Sequence, residues 1–129
     1  MPELSNSRLD DLMATGAAVF ARAFQRHGVT VAFGQSLPTS FHLVAPRFGI
    51  EQAGYRTESS GAMMADGYAR ISGRFGLVTA MHGPAAALLV PGLAEALKAS
   101  VPVVALVQEV GRRIVDRNAA SEIDHVPLF

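Results

Sequence analysis

Apolar residues recur at helical spacing through Leu9, Leu12, Met13, Val19, Phe20, Ala23 and Phe24, which predicts a first helix over 9–27. Ser7 with Asp10 resembles a capping pair at its start, and His27-Gly28 resembles a helix end. The apolar runs then shorten. Thr30-Val31-Ala32-Phe33 predicts a buried strand. The loop Gln35-Ser36-Leu37-Pro38 leads into a short helix over 39–45, which Pro46 stops. A second strand is expected near 53–56, a long helix over 58–72, a third strand over 77–81, a helix over 85–99 and a fourth strand over 102–107. That fourth strand is an almost unbroken apolar run, of the kind buried on both faces of a parallel sheet. Strands alternating with helices predict an α/β fold: a three-layer, doubly wound parallel sheet with helices on both faces.

Two helices stand out within that pattern. Along 58–72, Gly61, Ala62, Ala65 and Ala69 share one face, and Asp66 with Arg70 forms an i,i+4 pair in the favourable order. So bare a face buries little by itself, so a close neighbour is expected there, namely another chain. Helix 85–99 is apolar nearly all round, with Glu95 and Lys98 its only charges. A helix of that kind is buried all round, which calls for a further layer from another subunit or domain. Pro91 inside it should bend it or cost a hydrogen bond. After Gln108 the apolar pattern collapses. Val126-Pro127-Leu128-Phe129 begins a new apolar stretch, expected to be either the start of a truncated segment or a piece that docks on a partner.

Composition narrows the function classes. At 129 residues there is room for one domain with one core. Half the residues are hydrophobic, 17% are charged and the formal net charge is zero, with no basic run. Disorder and a nucleic-acid partner are both disfavoured. The absence of cysteine excludes disulfides and thiolate metal sites. The polar stretch Met1 to Arg8 does not read as a signal peptide, and no apolar run is long enough to span a bilayer. The expectation is a soluble, cytoplasmic protein with no membrane partner and no metal ligands of its own.

In doubly wound sheets, ligands bind outside the carboxyl ends of the strands. Here those ends carry Gly34-Gln35, Thr57-Glu58, Met81-His82 and Gln108-Glu109. Glu58 is either a first-turn carboxylate favoured by the helix macrodipole or a site residue facing whatever approaches the small face. His82 is either a turn histidine bonded to backbone or an acid/base group. Gly83-Pro84-Ala85 opens a helix whose free N–H groups suit an anion, though the sequence is not a phosphate-cradling one. No G-x-G-x-x-G follows the first strand, which disfavours a dinucleotide site. His27 and His42 read as a helix-end and a helix-surface residue, and the methionines as core filler.

Seven strings occur in one order: Val31-Ala32-Phe33-Gly34, Tyr55-Arg56-Thr57-Glu58, Ala65-Asp66-Gly67-Tyr68-Ala69-Arg70, Gly73-Arg74, His82-Gly83-Pro84-Ala85, Leu93-Ala94-Glu95-Ala96 and Val101-Pro102-Val103-Val104. Together they resemble the N-terminal pyrimidine-binding (PYR) domain of thiamine-diphosphate-dependent enzymes, in the acetolactate synthase, benzoylformate decarboxylase and benzaldehyde lyase group. The resemblance covers about residues 9 to 129. It implies that Glu58 is the cofactor-activating glutamate, hydrogen-bonded to N1′ of the aminopyrimidine. The 4′-nitrogen of the imino tautomer then removes the thiazolium C2 proton, and the ylid attacks an α-keto acid. It also implies a second catalytic residue in His82, cofactor contacts at Gly83 and Pro84, and a substrate channel lined by Gln35, Ser36, Ala120 and Ser121. The family's Phe-Gln before Glu-Ile-Asp is replaced here by Ala120-Ser121, and its Gly-Pro-Gly reads Gly83-Pro84-Ala85. Its Gly-Asp-Gly followed by Asn-Asn is absent. Residues 1–129 thus resemble an incomplete PYR domain without the middle and diphosphate-binding domains. The implied partner is a homo- or hetero-oligomer that supplies the diphosphate-binding domain and holds Mg2+. Set against this carboligase or decarboxylase are two alternatives: a non-catalytic α/β interaction module or inert fragment, and an unrelated nucleotide-binding domain.

Overall fold

The computed structural model describes residue 11 and residues 13–129. The expected capping pair at Ser7 and Asp10 lies outside the described residues, as do Leu9 and Leu12. From Gly16 onward the described residues form four α-helices and four strands, α1 (Gly16–Arg26), β1 (Val31–Phe33), α2 (Thr39–Val44), β2 (Glu51–Ala53), α3 (Glu58–Ser72), β3 (Gly76–Ala80), α4 (Pro84–Lys98) and β4 (Val103–Val107). Short 3-10 turns occupy Ala45–Phe48 and Val126–Leu128. The single helix expected over 9–27 is interrupted. Ala14 and Thr15 turn, and α1 starts only after Thr15, whose extended backbone makes it the N-cap. A threonine followed by a glycine favours a helix start over helix interior, and this overrides the apolar spacing. The end is as expected: His27 is the C-cap and Gly28 has a φ of 78°.

All four strands pair in parallel, in the order β2-β1-β3-β4. The chain moves outward from β1 to β2, then crosses back to β3 on the other side of β1. That reversal makes the carboxyl ends of β1 and β3 the topological switch point. Successive strand side chains point to opposite faces, and the core divides accordingly. Ala32 and Leu77 pack with Ala18, Phe24, Phe41, Val44 and Phe48 beneath α1 and α2. Phe33, Val78 and Ala80 pack with Ala62, Ala65 and Leu89 beneath α3 and α4. Helices therefore cover both faces, giving the three-layer PYR-like arrangement.

Three expectations need correction. The second strand ends at Ala53, and Tyr55 turns inward as a buried core residue instead of extending the ladder. The run ending in β4 is not buried on both faces. With β3 as its one neighbour, β4 is an edge strand, and Val104 is 38% exposed. The small face of α3 is covered by this chain and not by another. A Cβ on Gly76 of β3 would strike the carbonyl of Ala65, and one on Gly92 of α4 would lie 2.6 Å from Ala62 Cβ. The bare residues let one helix approach its own sheet and its own neighbouring helix. By contrast, α4 buries only Ala86, Leu89, Gly92 and Ala96, and leaves Leu88 exposed on one flank and Leu97 exposed on the other, the latter beside Leu128 and Phe129. Pro91 is accommodated within the helix.

Candidate functional site

At the switch point lies a cavity of about 260 Å³. Gln35, Ser36 and Leu37 enter from the loop after β1, Tyr55 and Glu58 from the end of β2 and start of α3, and Met81 and Ala85 from the end of β3 and first turn of α4. The site is thus assembled from three strand ends.

Glu58 is the first residue of α3. The free N–H groups of that helix end are served by a reciprocal pair. The Ser60 N–H donates to Thr57 Oγ1, and the Thr57 N–H to Ser60 Oγ, each at 3.3 Å. Capping therefore does not fall to Glu58. Among the described residues, no hydrogen bond or ion pair engages its carboxylate. It stands half-buried at a cavity whose wall is apolar at Leu37, Met81 and Ala85 and polar at Gln35 and Ser36.

The cavity walls are tied to each other. Gln52 Nε2 donates to the Gly34 carbonyl at 2.9 Å and also to that of Gln35. Gln35 Nε2 in turn reaches the carbonyls of Tyr55 and Arg56 at 3.4 Å. The Tyr55 hydroxyl donates to the Thr79 carbonyl at 2.7 Å. Burial, with the Glu58 charge as a second cause, pushes the Tyr55 phenol up to about 12, so it stays protonated as the donor. His42 is not a helix-surface residue: its Nε2 lies 2.9 Å from Thr79 Oγ1, and burial lowers its pKa despite an opposing backbone bond at Leu37. Nothing in the apolar pattern marks Tyr55, Gln52 or His42. The one available signal was indirect, in that Gly34 and Gly61 leave room for bulky neighbours.

The remaining candidates lie elsewhere. His82 Nε2 is 3.1 Å from the Ala120 carbonyl, its Nδ1 is buried without a partner, and the residue does not line the Glu58 cavity. Gly83, with φ 68° and ψ −129°, seats the Ser121 carbonyl so closely that a Cβ there would collide with it. Pro84 is exposed at the start of α4. Ala120 and Ser121 therefore rest on His82 and Gly83, while Gln35, Ser36 and Glu58 gather in the cavity. Glu122 belongs to the former group. Its carboxylate accepts the N–H groups of Asp116 at 2.6 Å and Ala119 at 2.9 Å, and those bonds, with a smaller contribution from the His82 charge, lower its pKa. Glu122 borders an open hollow with Glu109, Asp116 and Asp124, yet among the described residues no such group is arranged to hold a metal.

Comparison with known proteins adds the following. Residues 14–128 match the family described as thiamine pyrophosphate enzyme, N-terminal TPP binding domain. The chain is 39% identical over 116 residues to an acetolactate synthase of Arthrospira platensis, covering 85% of this chain and 20% of that protein. It is 37% identical over 125 residues to the chloroplastic acetolactate synthase of Arabidopsis thaliana, covering 94% and 19%. A sulfoacetaldehyde acetyltransferase of Rhodobacter capsulatus is 30% identical over 118 residues, covering 89% and 20%. The chain spans about a fifth of the length of the curated relatives it matches.

Proposed function

The chain belongs to the thiamine pyrophosphate enzyme family as its N-terminal TPP binding domain, and on that premise we propose that it is the pyrimidine-binding part of a carboligase or decarboxylase acting on α-keto acids. The acetolactate-synthase-like form is favoured by the higher identities, 39% and 37% against 30%. One observation carries the site assignment. Glu58 presents a carboxylate with no internal partner to a cavity at the switch point, and its helix is capped without it. That donor set suits an aminopyrimidine, with an acceptor for a ring nitrogen at one end and apolar surface for the ring along Leu37, Met81 and Ala85.

When bound, thiamine diphosphate supplies the nucleophilic carbon, and the protein contributes position and proton transfer. Glu58 would share one proton with N1′, donating it while the carboxyl holds it and accepting the hydrogen bond once N1′ carries it. Gln35 and Ser36 offer the polar groups beside it. The diphosphate and its magnesium are held by a partner domain, and the surface offered to such a partner is the apolar patch of Leu97 on α4 with Leu128 and Phe129. By itself the chain is expected to bind thiamine diphosphate more weakly than about 10 μM, or roughly 7 kcal/mol. Titration calorimetry with magnesium present checks this, and tighter binding would reveal a diphosphate site in the chain itself. The decisive test is C2 proton exchange of bound cofactor in an assembly that includes the diphosphate-binding domain. Glu58→Gln should slow it on the order of 10²-fold. An unchanged rate would leave Glu58 a helix-start carboxylate and the chain an interaction module.

A further inference from the structure

Behind the Glu58 cavity, three polar residues, His42, Thr79 and Tyr55, join in a line through the sheet. Thr79 lies at its centre, fully buried in β3. Its hydroxyl meets His42 on one side, and its carbonyl accepts the Tyr55 hydroxyl on the other. Each end of the line reaches a cavity wall. His42 stands near the backbone of Leu37, which opposes the lowering of its pKa. Tyr55 lines the cavity, and its ring lies flush against Gly61, three residues beyond Glu58 in the first two turns of α3. Two glycines fit this arrangement. A Cβ on Gly34 would collide with Thr79 Oγ1 and stand 2.8 Å from the His42 ring, and one on Gly61 would stand 2.6 Å from Tyr55 Cε1.

We infer that Tyr55 is a positioning residue for Glu58, its phenol anchored on the Thr79 carbonyl so that its ring fixes where the first turn of α3 stands over the sheet edge. This rests on the reading of Glu58 as the cofactor contact. An aromatic ring alone would fill the volume, but a ring without the hydroxyl can slide along the apolar surface beneath it. The hydroxyl supplies direction, because the buried carbonyl it serves belongs to the most enclosed strand of the sheet and cannot move to follow it. Because Thr79 meets His42 with its hydroxyl and Tyr55 with its carbonyl, the roles of the three residues separate. The Thr79 hydroxyl and His42 govern the loop at Leu37, whereas the Thr79 backbone and Tyr55 govern α3.

The test uses the complete enzyme with Tyr55→Phe, and Tyr68→Phe as the control. Tyr68 is on α3 itself, and its hydroxyl makes only an exposed 3.4 Å contact with Thr30. Amide hydrogen exchange of the cofactor-free protein should accelerate about tenfold across 58–61 in Tyr55→Phe, and not in Tyr68→Phe. Thr79→Val keeps the carbonyl, so it should loosen 35–37 and leave 58–61 protected. With cofactor bound, Tyr55→Phe should slow C2 proton exchange about tenfold at unchanged cofactor affinity. A Tyr55→Phe protein that exchanges like Tyr68→Phe overturns the inference. So does one that loses protection evenly through β3 and α3, since that is lost stability and not lost position. Glu58→Gln run alongside separates the two levels. If it leaves C2 exchange unchanged, the reading of Glu58 fails; if it slows exchange and Tyr55→Phe does not, the positioning role alone fails.

Discussion

Two carboxylates near the same sheet edge have opposite circumstances. Glu122 is consumed by its own chain. Both its oxygens accept backbone N–H groups, and the loop it ties down rests on His82 and Gly83 through the carbonyls of Ala120 and Ser121. Glu58 is surrounded by groups that satisfy one another, Thr57 with Ser60, Gln52 and Gln35 with backbone, and Tyr55 with Thr79, while its own carboxylate is left over. Polar groups near a core are normally paired, because an unpaired one forfeits its bonds with water. Glu58 is half-buried at the cavity, so its carboxylate is bonded by no neighbour and stays open to a group that comes from outside. Glu122 shows what the same side chain looks like when its task is to shape a loop.

The contrast can be broken most directly by exchanging the two readouts. Glu58→Gln should slow C2 proton exchange of bound cofactor on the order of 10²-fold while leaving the unfolding midpoint nearly unchanged, since no internal bond is lost. Glu122→Gln should do the reverse. It should accelerate amide exchange at Asp116 and Ala119 and change C2 exchange by less than about threefold, within what a displaced neighbouring loop transmits. If Glu122→Gln slows C2 exchange as much as Glu58→Gln, the two regions form one site and the division between them is wrong.

A smaller effect sharpens the comparison within α3 itself. Gly61 and Gly67 occupy the same helix, but a Cβ at Gly61 meets the Tyr55 ring whereas at Gly67 it meets nothing within 4 Å. Gly67→Ala should therefore stabilise by about 0.5–1 kcal/mol through helix propensity alone. Gly61→Ala gains the same propensity but must displace a ring held at both ends, at an overpacking cost of about 1–3 kcal/mol. The net should be destabilising by roughly 1 kcal/mol. Urea unfolding of both variants checks the opposite signs. Two stabilising substitutions would mean the Tyr55 ring yields freely, and that Tyr55 does not hold the helix.

Much of this was legible in the residues. The alternation of apolar runs gave the parallel sheet and its helices, because burial on a strand or helix leaves a period in the sequence. Glu58 at a strand-to-helix junction and Gln35 after β1 could be singled out as strand-end residues, whereas Ser36 entered only through the family resemblance. What was hidden had no period. Tyr55 read as strand, yet its ring turns under α3. His42 read as surface, yet Thr79 from a strand 37 residues later reaches it. The small face of α3 correctly signalled close approach, but spacing cannot say whether the neighbour is Gly92 of the same chain or a residue of another. The apolar run ending in β4 promised two covered faces, and local composition carries no information that the strand lies at the sheet edge.

The smallest effect concerns acid. The two N–H bonds at Glu122 hold its carboxyl below its ordinary value of 4.5 in the folded chain. A carboxyl depressed by folding contributes stability that is fully present above its unfolded value and is lost as pH falls through the folded one. The wild-type protein should therefore be more stable than Glu122→Gln at pH 7 by a margin that holds down to about pH 4.5 and shrinks below it as the carboxylate takes up its proton. The rest of the chain is common to both proteins, so the difference between them is the quantity to follow and not either curve alone. Thermal midpoints measured from pH 7 to pH 3 on both proteins check the pattern. A Glu122→Gln curve that stays parallel to wild type below pH 4.5 would show that Glu122 is not the carboxylate tied into the fold.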